Sequence, residues 1–182
     1  MNLIEITTNE FDVTINLAYA KSSNFTGKKI YKNSRCYLHK DAINNLTNAI
    51  NIAKGLGYKL KIYDAFRPSE AQEKLWSFNP DPQFISHPQK GSPHSRGIAL
   101  DVTLLKNNKN LDMGTPFDSF SEKSFHGNNN IGAQAKKNRM ILLAIMTLAG
   151  WDYYKNEWWH YQLFNSKNWP ILSDKSERTN LI

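Results

Sequence analysis

Apolar residues recur at helical spacing from Asp41 to Leu56, at Ile43, Leu46, Ile50 and Ala53, and Gly55 and Gly57 supply a stop. This predicts a helix packed on a core. Tyr58 to Asp64 alternates instead, with Tyr58, Leu60 and Ile62 on one face and Lys59 and Lys61 on the other, as in a half-buried strand. Pro68 then biases Arg67 away from helix, so Arg67 falls at a strand-to-helix corner. Ser69 with Gln72 forms a capping-box pattern for a helix through about Trp76. Residues 77–91 contain three prolines and predict a loop.

Gly97 to Leu104 alternates Ile98, Leu100 and Val102 against Ala99, Asp101 and Thr103, a strand that aims Asp101 at one face between two small residues. Gln134 to Ala149 is the strongest helix pattern, apolar on a broad face and closed by Gly150. Trp158 to Phe164 predicts a final aromatic-rich strand. Strands and helices without regular βαβ alternation predict an α+β fold with a mostly antiparallel sheet flanked by helices. No repeat, linker or change of composition divides the chain, so residues 1–182 are expected to form a single domain.

Composition narrows the chemistry. With 40% apolar and 21% charged residues the chain is an ordinary globular one. Its single cysteine, Cys36, excludes an internal disulfide and a CxxC site, so any metal must be held by His and carboxylates. The net charge of +7 comes from lysines dispersed singly and in pairs such as Lys28-Lys29 and Lys136-Lys137, which predicts a solvated surface rather than a nucleic-acid partner. Met1 to Glu10 has no basic start leading into an apolar run, and nowhere do about 18 apolar residues run together. The expectation is a cytoplasmic protein with no membrane partner, or one from which a leader has been removed.

Two clusters carry candidate chemistry. In Ser92-Pro93-His94-Ser95-Arg96-Gly97-Ile98-Ala99-Leu100-Asp101 a loop histidine precedes a strand carboxylate by seven positions, so a turn can bring both side chains to one point. In Glu157-Trp158-Trp159-His160 a carboxylate stands three residues before another histidine. Zinc takes such N and O ligands, and a catalytic site keeps three of them, here His94, Asp101 and His160, with a fourth position for water whose pKa falls toward about 7. Glu157 could then take the proton. In a regular strand residues 157 and 160 face opposite sides, so either the strand starts after Glu157 or a bulge re-aims it. Taken singly, each residue has a plainer reading. His94 and Asp101 could be a structural hydrogen-bonded pair, Trp158 and Trp159 core residues, and His39, His87 and His126 surface residues.

The two clusters together resemble the D-alanyl-D-alanine dipeptidase family associated with vancomycin resistance, within the wider zinc DD-peptidase group. Further blocks agree in order: Tyr19-Ala20 with Asn24-Phe25-Thr26-Gly27, then Tyr63-Asp64-Ala65-Phe66-Arg67-Pro68, then Met113-Gly114-Thr115-Pro116-Phe117-Asp118. The resemblance spans residues 19 to about 164; residues 77–91 and those after Asn165 match nothing in it. It implies a zinc DD-peptidase-like fold and one zinc ion on His94, Asp101 and His160. Glu157 would be the general base and acid, and Arg67 the group that steadies the tetrahedral intermediate. Asp118 would meet the substrate ammonium, and Ser92 and Tyr19 would line the pocket for a small dipeptide. Two alternatives stay open: a DD- or LD-carboxypeptidase acting on cell-wall stem peptides, and a non-catalytic zinc-binding domain of the same fold.

Overall fold

A computed structural model describes residues 2–182. The strands are β1 (Leu3–Ile6), β2 (Val13–Ile15), β3 (Cys36–His39), β4 (Lys59–Asp64), β5 (Ala99–Lys106), β6 (Lys109–Asn110), β7 (Asp152–Tyr153) and β8 (His160–Gln162). The helices are α1 (Ile43–Gly55), α2 (Ser69–Phe78), α3 (Ala133–Leu148) and α4 (Asp174–Glu177). One sheet runs in the order β2-β4-β5-β8-β7 with β6 paired to β5, while β1 and β3 form a separate antiparallel pair. In the larger sheet β2 lies parallel to β4 and the other pairings are antiparallel. The predicted α+β class with a mostly antiparallel sheet is what forms.

The alternation of β4 and β5 explains the layering. Leu60 and Ile62, with Leu100, Val102 and Leu104, are fully buried and join Leu46, Ala49, Ile50 and Ala53 of α1 and Leu142, Ile145 and Met146 of α3 in one apolar cluster. Each buried Leu, Ile, Val or Met side chain among them contributes about 1.5–3 kcal/mol. Asn45 ties the two helices together, its amide donating to the Gly150 carbonyl just past α3. The alternate positions of β5, Ala99, Asp101 and Thr103, point to the other side of the sheet, where the polar groups collect.

Several expectations are corrected. Ser69 and Gln72 form no capping box: Pro68 is the N-cap of α2, without a side-chain bond, and Gln72 is buried and engaged elsewhere. A capping box does form at α4, between Ser173 and Ser176. The final strand is shorter than the aromatic run predicts, because residues 155–159 form turns before β8 starts at His160. Nor are the three remaining histidines surface residues. His39 is buried in β3, and His87 and His126 are half-buried, packed on Trp76 and Tyr153 respectively.

The C-terminal residues fasten the middle of the chain. Leu172 donates its N–H to the Ser95 carbonyl at 2.7 Å and accepts from the Ser69 N–H at 3.1 Å, and Leu181 is fully buried. The Asp174 carboxylate accepts from the N–H groups of Leu181 and Ile182.

Gly97 ends the one-turn helix His94–Arg96 in the left-handed conformation, with φ 70°. A Cβ there would stand 2.7 Å from a Leu3 methyl. Gly97→Ala is therefore expected to lower stability by at least the roughly 1–2 kcal/mol that left-handed backbone costs a non-glycine residue. A denaturant titration with an unshifted midpoint would contradict this.

Candidate active site

Register brings the first two candidate ligands together. β5 and β8 are antiparallel with Asp101 directly opposite His160, and directly opposed residues put their side chains on the same face. His94 comes from the one-turn helix just before β5, and the left-handed Gly97 turns the chain so that its ring folds back over that face. The result is a triangle: His94 Nε2 to Asp101 Oδ1 3.2 Å, His160 Nδ1 to Asp101 Oδ1 3.1 Å, and His94 Nε2 to His160 Nδ1 3.1 Å. All three residues are buried, and they form a group able to hold a metal ion.

The far side of each ring decides the chemistry of the near side. His94 Nδ1 lies 2.7 Å from the Ala65 carbonyl, which can only accept, so this nitrogen carries the proton and Nε2 offers a lone pair. His160 Nε2 lies 3.0 Å from Gln162 Oε1 and is the donor there, leaving Nδ1 as the lone-pair atom. Two nitrogen lone pairs and a carboxylate oxygen thus face one another with no proton among them. Such a set fits a cation. Donors about 2.0–2.1 Å from a tetrahedral zinc stand about 3.3 Å apart, close to the edges found here. Burial opposes the charge of Asp101, and with no proton among the three donors a cation in their midst would offset that cost.

Glu157 sits beside this triangle. The chain turns at residues 155–159 and β8 begins only at His160, so the opposite-face difficulty of a continuous strand does not arise. The Glu157 carboxylate lies 3.9 Å from His160 Nδ1. Burial and the Asp101 charge push the Glu157 carboxyl up, with Arg67 opposing.

Arg67 is buried as well, held by residues whose part was not legible in the sequence. Its Nε and Nη2 both reach Asp64 Oδ2 at 2.8 Å, Nη1 donates to Gln72 Oε1 at 3.0 Å, and the guanidinium stacks 5.0 Å above the Tyr19 ring. Nη2 also stands 3.6 Å from Asp101 Oδ2. Asp64 itself accepts from the Tyr31 hydroxyl at 2.8 Å; burial pushes its carboxyl up and Arg67 opposes. Simple alternation would place Asp64 with Leu60 and Ile62 on the helix side. A register shift between Ile62 and Asp64 sets it opposite Asp101 instead.

One cavity of about 300 Å³ collects all eight candidate residues: Tyr19, Arg67, Ser92, His94, Asp101, Asp118, Glu157 and His160 line it together. That volume is at the small end of ligand sites. Asp118 is half-buried rather than an open surface acid, has left-handed backbone (φ 58°), and accepts from the Tyr19 hydroxyl at 3.0 Å. Burial and the Asp101 charge push its carboxyl well up. Ser92 lines the wall while its Oγ accepts the His94 N–H at 3.2 Å, so it also fixes the turn that carries His94. The loop at 82–86 and Tyr154 close one side, the Tyr154 hydroxyl donating to the Gln83 carbonyl at 2.9 Å. The parts played by Gln162, Gln72, Asp64 and Tyr154 were not legible in the sequence: Gln162, Asp64 and Gln72 lie two to five residues from His160 and Arg67, the side chains they hold, but spacing alone does not show that these meet, and Tyr154 reaches Gln83 from far along the chain. Their only local signal is a polar residue at a position that alternation or helical spacing assigns to the interior.

Comparison with known proteins identifies the family. A family model described as D-ala-D-ala dipeptidase, peptidase M15, matches residues 2–176. The D-alanyl-D-alanine dipeptidase of Escherichia coli K12 is 46% identical over 165 residues, which cover 90% of this chain and 86% of that protein. The D-alanyl-D-alanine dipeptidase of Enterococcus faecium is 33% identical over 167 residues, 80% of this chain and 83% of the relative. Among solved structures, the LD-carboxypeptidase LdcB superposes with a TM-score of 0.51 at 16% identity, covering 100% of this chain and 78% of that one, a likeness of fold. The chain is thus a member of the M15 peptidases of the D-alanyl-D-alanine dipeptidase family.

Proposed function

We propose that this chain hydrolyses the D-alanyl-D-alanine dipeptide to D-alanine, with one zinc ion held by His94, Asp101 and His160. The observation that carries the reading is the triangle of three acceptor atoms 3.1–3.2 Å apart, with a buried carboxylate, Glu157, 3.9 Å from one of them. A purely structural metal site needs no such neighbour. When bound, zinc supplies Lewis acidity, polarising a carbonyl and making water acidic near neutral pH.

The chain's own residues would supply the rest. Glu157 takes the proton of the attacking water and returns it to the leaving amine, so one carboxylate serves both halves of the reaction. Arg67 uses three of its five N–H groups on Asp64 and Gln72, which leaves two for the oxygen that gains charge as the carbonyl becomes tetrahedral. Pinned on two sides and stacked on Tyr19, the guanidinium has little reorganisation left to make. Asp118, oriented by the Tyr19 hydroxyl, receives the substrate ammonium, and Ser92 and Tyr19 line the space between. A dipeptide's ammonium lies close to its scissile bond, so a cavity of about 300 Å³ that meets this ammonium with Asp118 disfavours peptides extended on that side.

Among the described residues no helix is long and apolar enough to cross a membrane.

Purified protein supplied with zinc and offered D-Ala-D-Ala, L-Ala-L-Ala and a longer peptide ending in D-Ala-D-Ala is expected to cleave the first alone. Preferential cleavage of the longer peptide would make the chain a carboxypeptidase, and no cleavage of any would make it a binding domain. Metal analysis should find about one zinc per chain, lost in His160→Ala along with activity; a zinc content unaffected by that substitution would remove His160 from the ligand set. Glu157→Gln should keep the zinc and the fold and lose roughly 10²- to 10⁴-fold in turnover, because the amide fills the same space but cannot accept a proton at neutral pH. A variant that keeps more than about a tenth of wild-type turnover would show the base to be another group.

A further inference from the structure

The residues assigned to the base and to the ammonium both lie outside regular structure. Asp118 is in the irregular segment between β6 and the start of α3, and Glu157 is in the turn between β7 and β8. Their separation must be fixed by something else, and one side chain touches both supports. Arg139 of α3 is buried, and its guanidinium donates to three backbone carbonyls: Nε to Met113 at 2.7 Å, Nη1 to Phe125 at 3.1 Å and Nη2 to Lys123 at 2.9 Å. It also lies 5.9 Å over the Trp158 ring. Its hydrogen-bond partners are carbonyls rather than a carboxylate. Burial accordingly lowers it to about 10, with Asp112 opposing from a distance, and it stays charged at neutral pH. A buried cation without a hydrogen-bonded counter-ion is costly, so its fork must be doing something that an apolar side chain could not.

The carbonyls it gathers lead directly to the two functional segments. Between Lys123 and Phe125, the Ser124 carbonyl accepts the Trp158 N–H at 3.0 Å, and the His126 N–H donates to the Lys155 carbonyl at 3.0 Å. These two bonds bracket Glu157. Trp158 Nε1 donates to Thr115 Oγ1 at 2.8 Å, Thr115 Oγ1 lies 3.1 Å from Ser124 Oγ, and Ser124 Oγ donates to the Ser119 carbonyl at 2.6 Å. Ser119 follows Asp118. The metal-ligating triangle takes no part in these bonds.

We propose that Arg139 is a positioning residue: by holding the carbonyls of Met113, Lys123 and Phe125 it sets the distance between Asp118 and Glu157, and so between the substrate's ammonium and the group that moves the proton. The inference rests on the roles given to those two residues above. Arg139→Met removes the three donors while keeping much of the apolar stem, and Arg139→Lys keeps the charge but cannot span three carbonyls.

In zinc-loaded Arg139→Met the metal content should be unchanged and the backbone N–H groups of Trp158 and His126 should exchange at least about tenfold faster with solvent. Turnover per bound zinc should fall by about 10²-fold, the loss expected from an ångström-scale misplacement, and KM for D-Ala-D-Ala should rise with it. General destabilisation would reduce the active fraction and speed exchange across the whole fold, but it would leave KM unchanged and would not single out those two amides. Unchanged exchange at Trp158 and His126 together with an unchanged KM overturns the proposal. Should Arg139→Met fail to fold, the same measurements on Arg139→Lys decide it, with losses in the same direction expected. If the wild-type protein cleaves no dipeptide, the functional reading fails, while the exchange measurement still judges Arg139 as the fastener of the two segments.

Discussion

Three acceptor atoms forced to face one another are the constraint on which the rest of this molecule turns. Asp101 and His160 have no freedom to avoid each other, because the β5–β8 register sets them directly opposite on one face of the sheet. His94 is brought in over them by a turn that Gly97 completes, and each ring is locked by a hydrogen bond on its far side, to Ala65 or to Gln162. Without a cation this geometry concentrates lone pairs in a buried space. With one, the same closeness becomes affinity, and the strain of assembling the set turns into folding energy that the metal returns.

Charge balance around the triangle follows from that constraint. A dication next to a buried guanidinium would be repelled strongly at low dielectric. Asp64 resolves the conflict, since its carboxylate accepts from Arg67 twice and from Tyr31 once, and it also stands 3.8 Å from His94 Nδ1. Arg67 can therefore present positive charge to the cavity while its own field is largely compensated toward the three candidate ligands. The shift of register before Asp64 is the backbone device that makes this possible, at the one place where β4 departs from strict pairing with β5.

Much of this was legible in the chain. Helices α1 and α3 and strands β4 and β5 follow from spacing and alternation, because each buries one face and periodicity reports burial. The pairing of the His94 and His160 clusters was legible as a pattern of ligand types, and their convergence follows from strand register. Other features were not legible, for definite physical reasons. A bulge leaves no mark in alternation, so Asp64 read as one more strand residue. Gln72 matched a capping pattern, yet its amide bridges the Arg67 guanidinium and the Ser86 carbonyl, a tertiary demand that overrides the local one. His39 and His87 accept from the N–H groups of Asp41 and Gln89 two residues on, but what buries the three histidines is packing of His39 on Trp169, His87 on Trp76 and His126 on Tyr153, contacts between separate elements that no local pattern announces.

The attachment of Leu172 to Ser95 and Ser69 has a temporal side. A chain emerging from the ribosome offers His94 and Asp101 first, and these two are only part of the candidate ligand set. His160 arrives after a further 59 residues, and the strap that secures the His94 turn arrives later still. The nascent chain therefore passes through a long interval in which a carboxylate and an imidazole are present without the third donor that completes the triangle. Capture of an ion by all three would have to wait for the strand that carries His160, so the closing of the sheet would precede ligation and could not be nucleated by it.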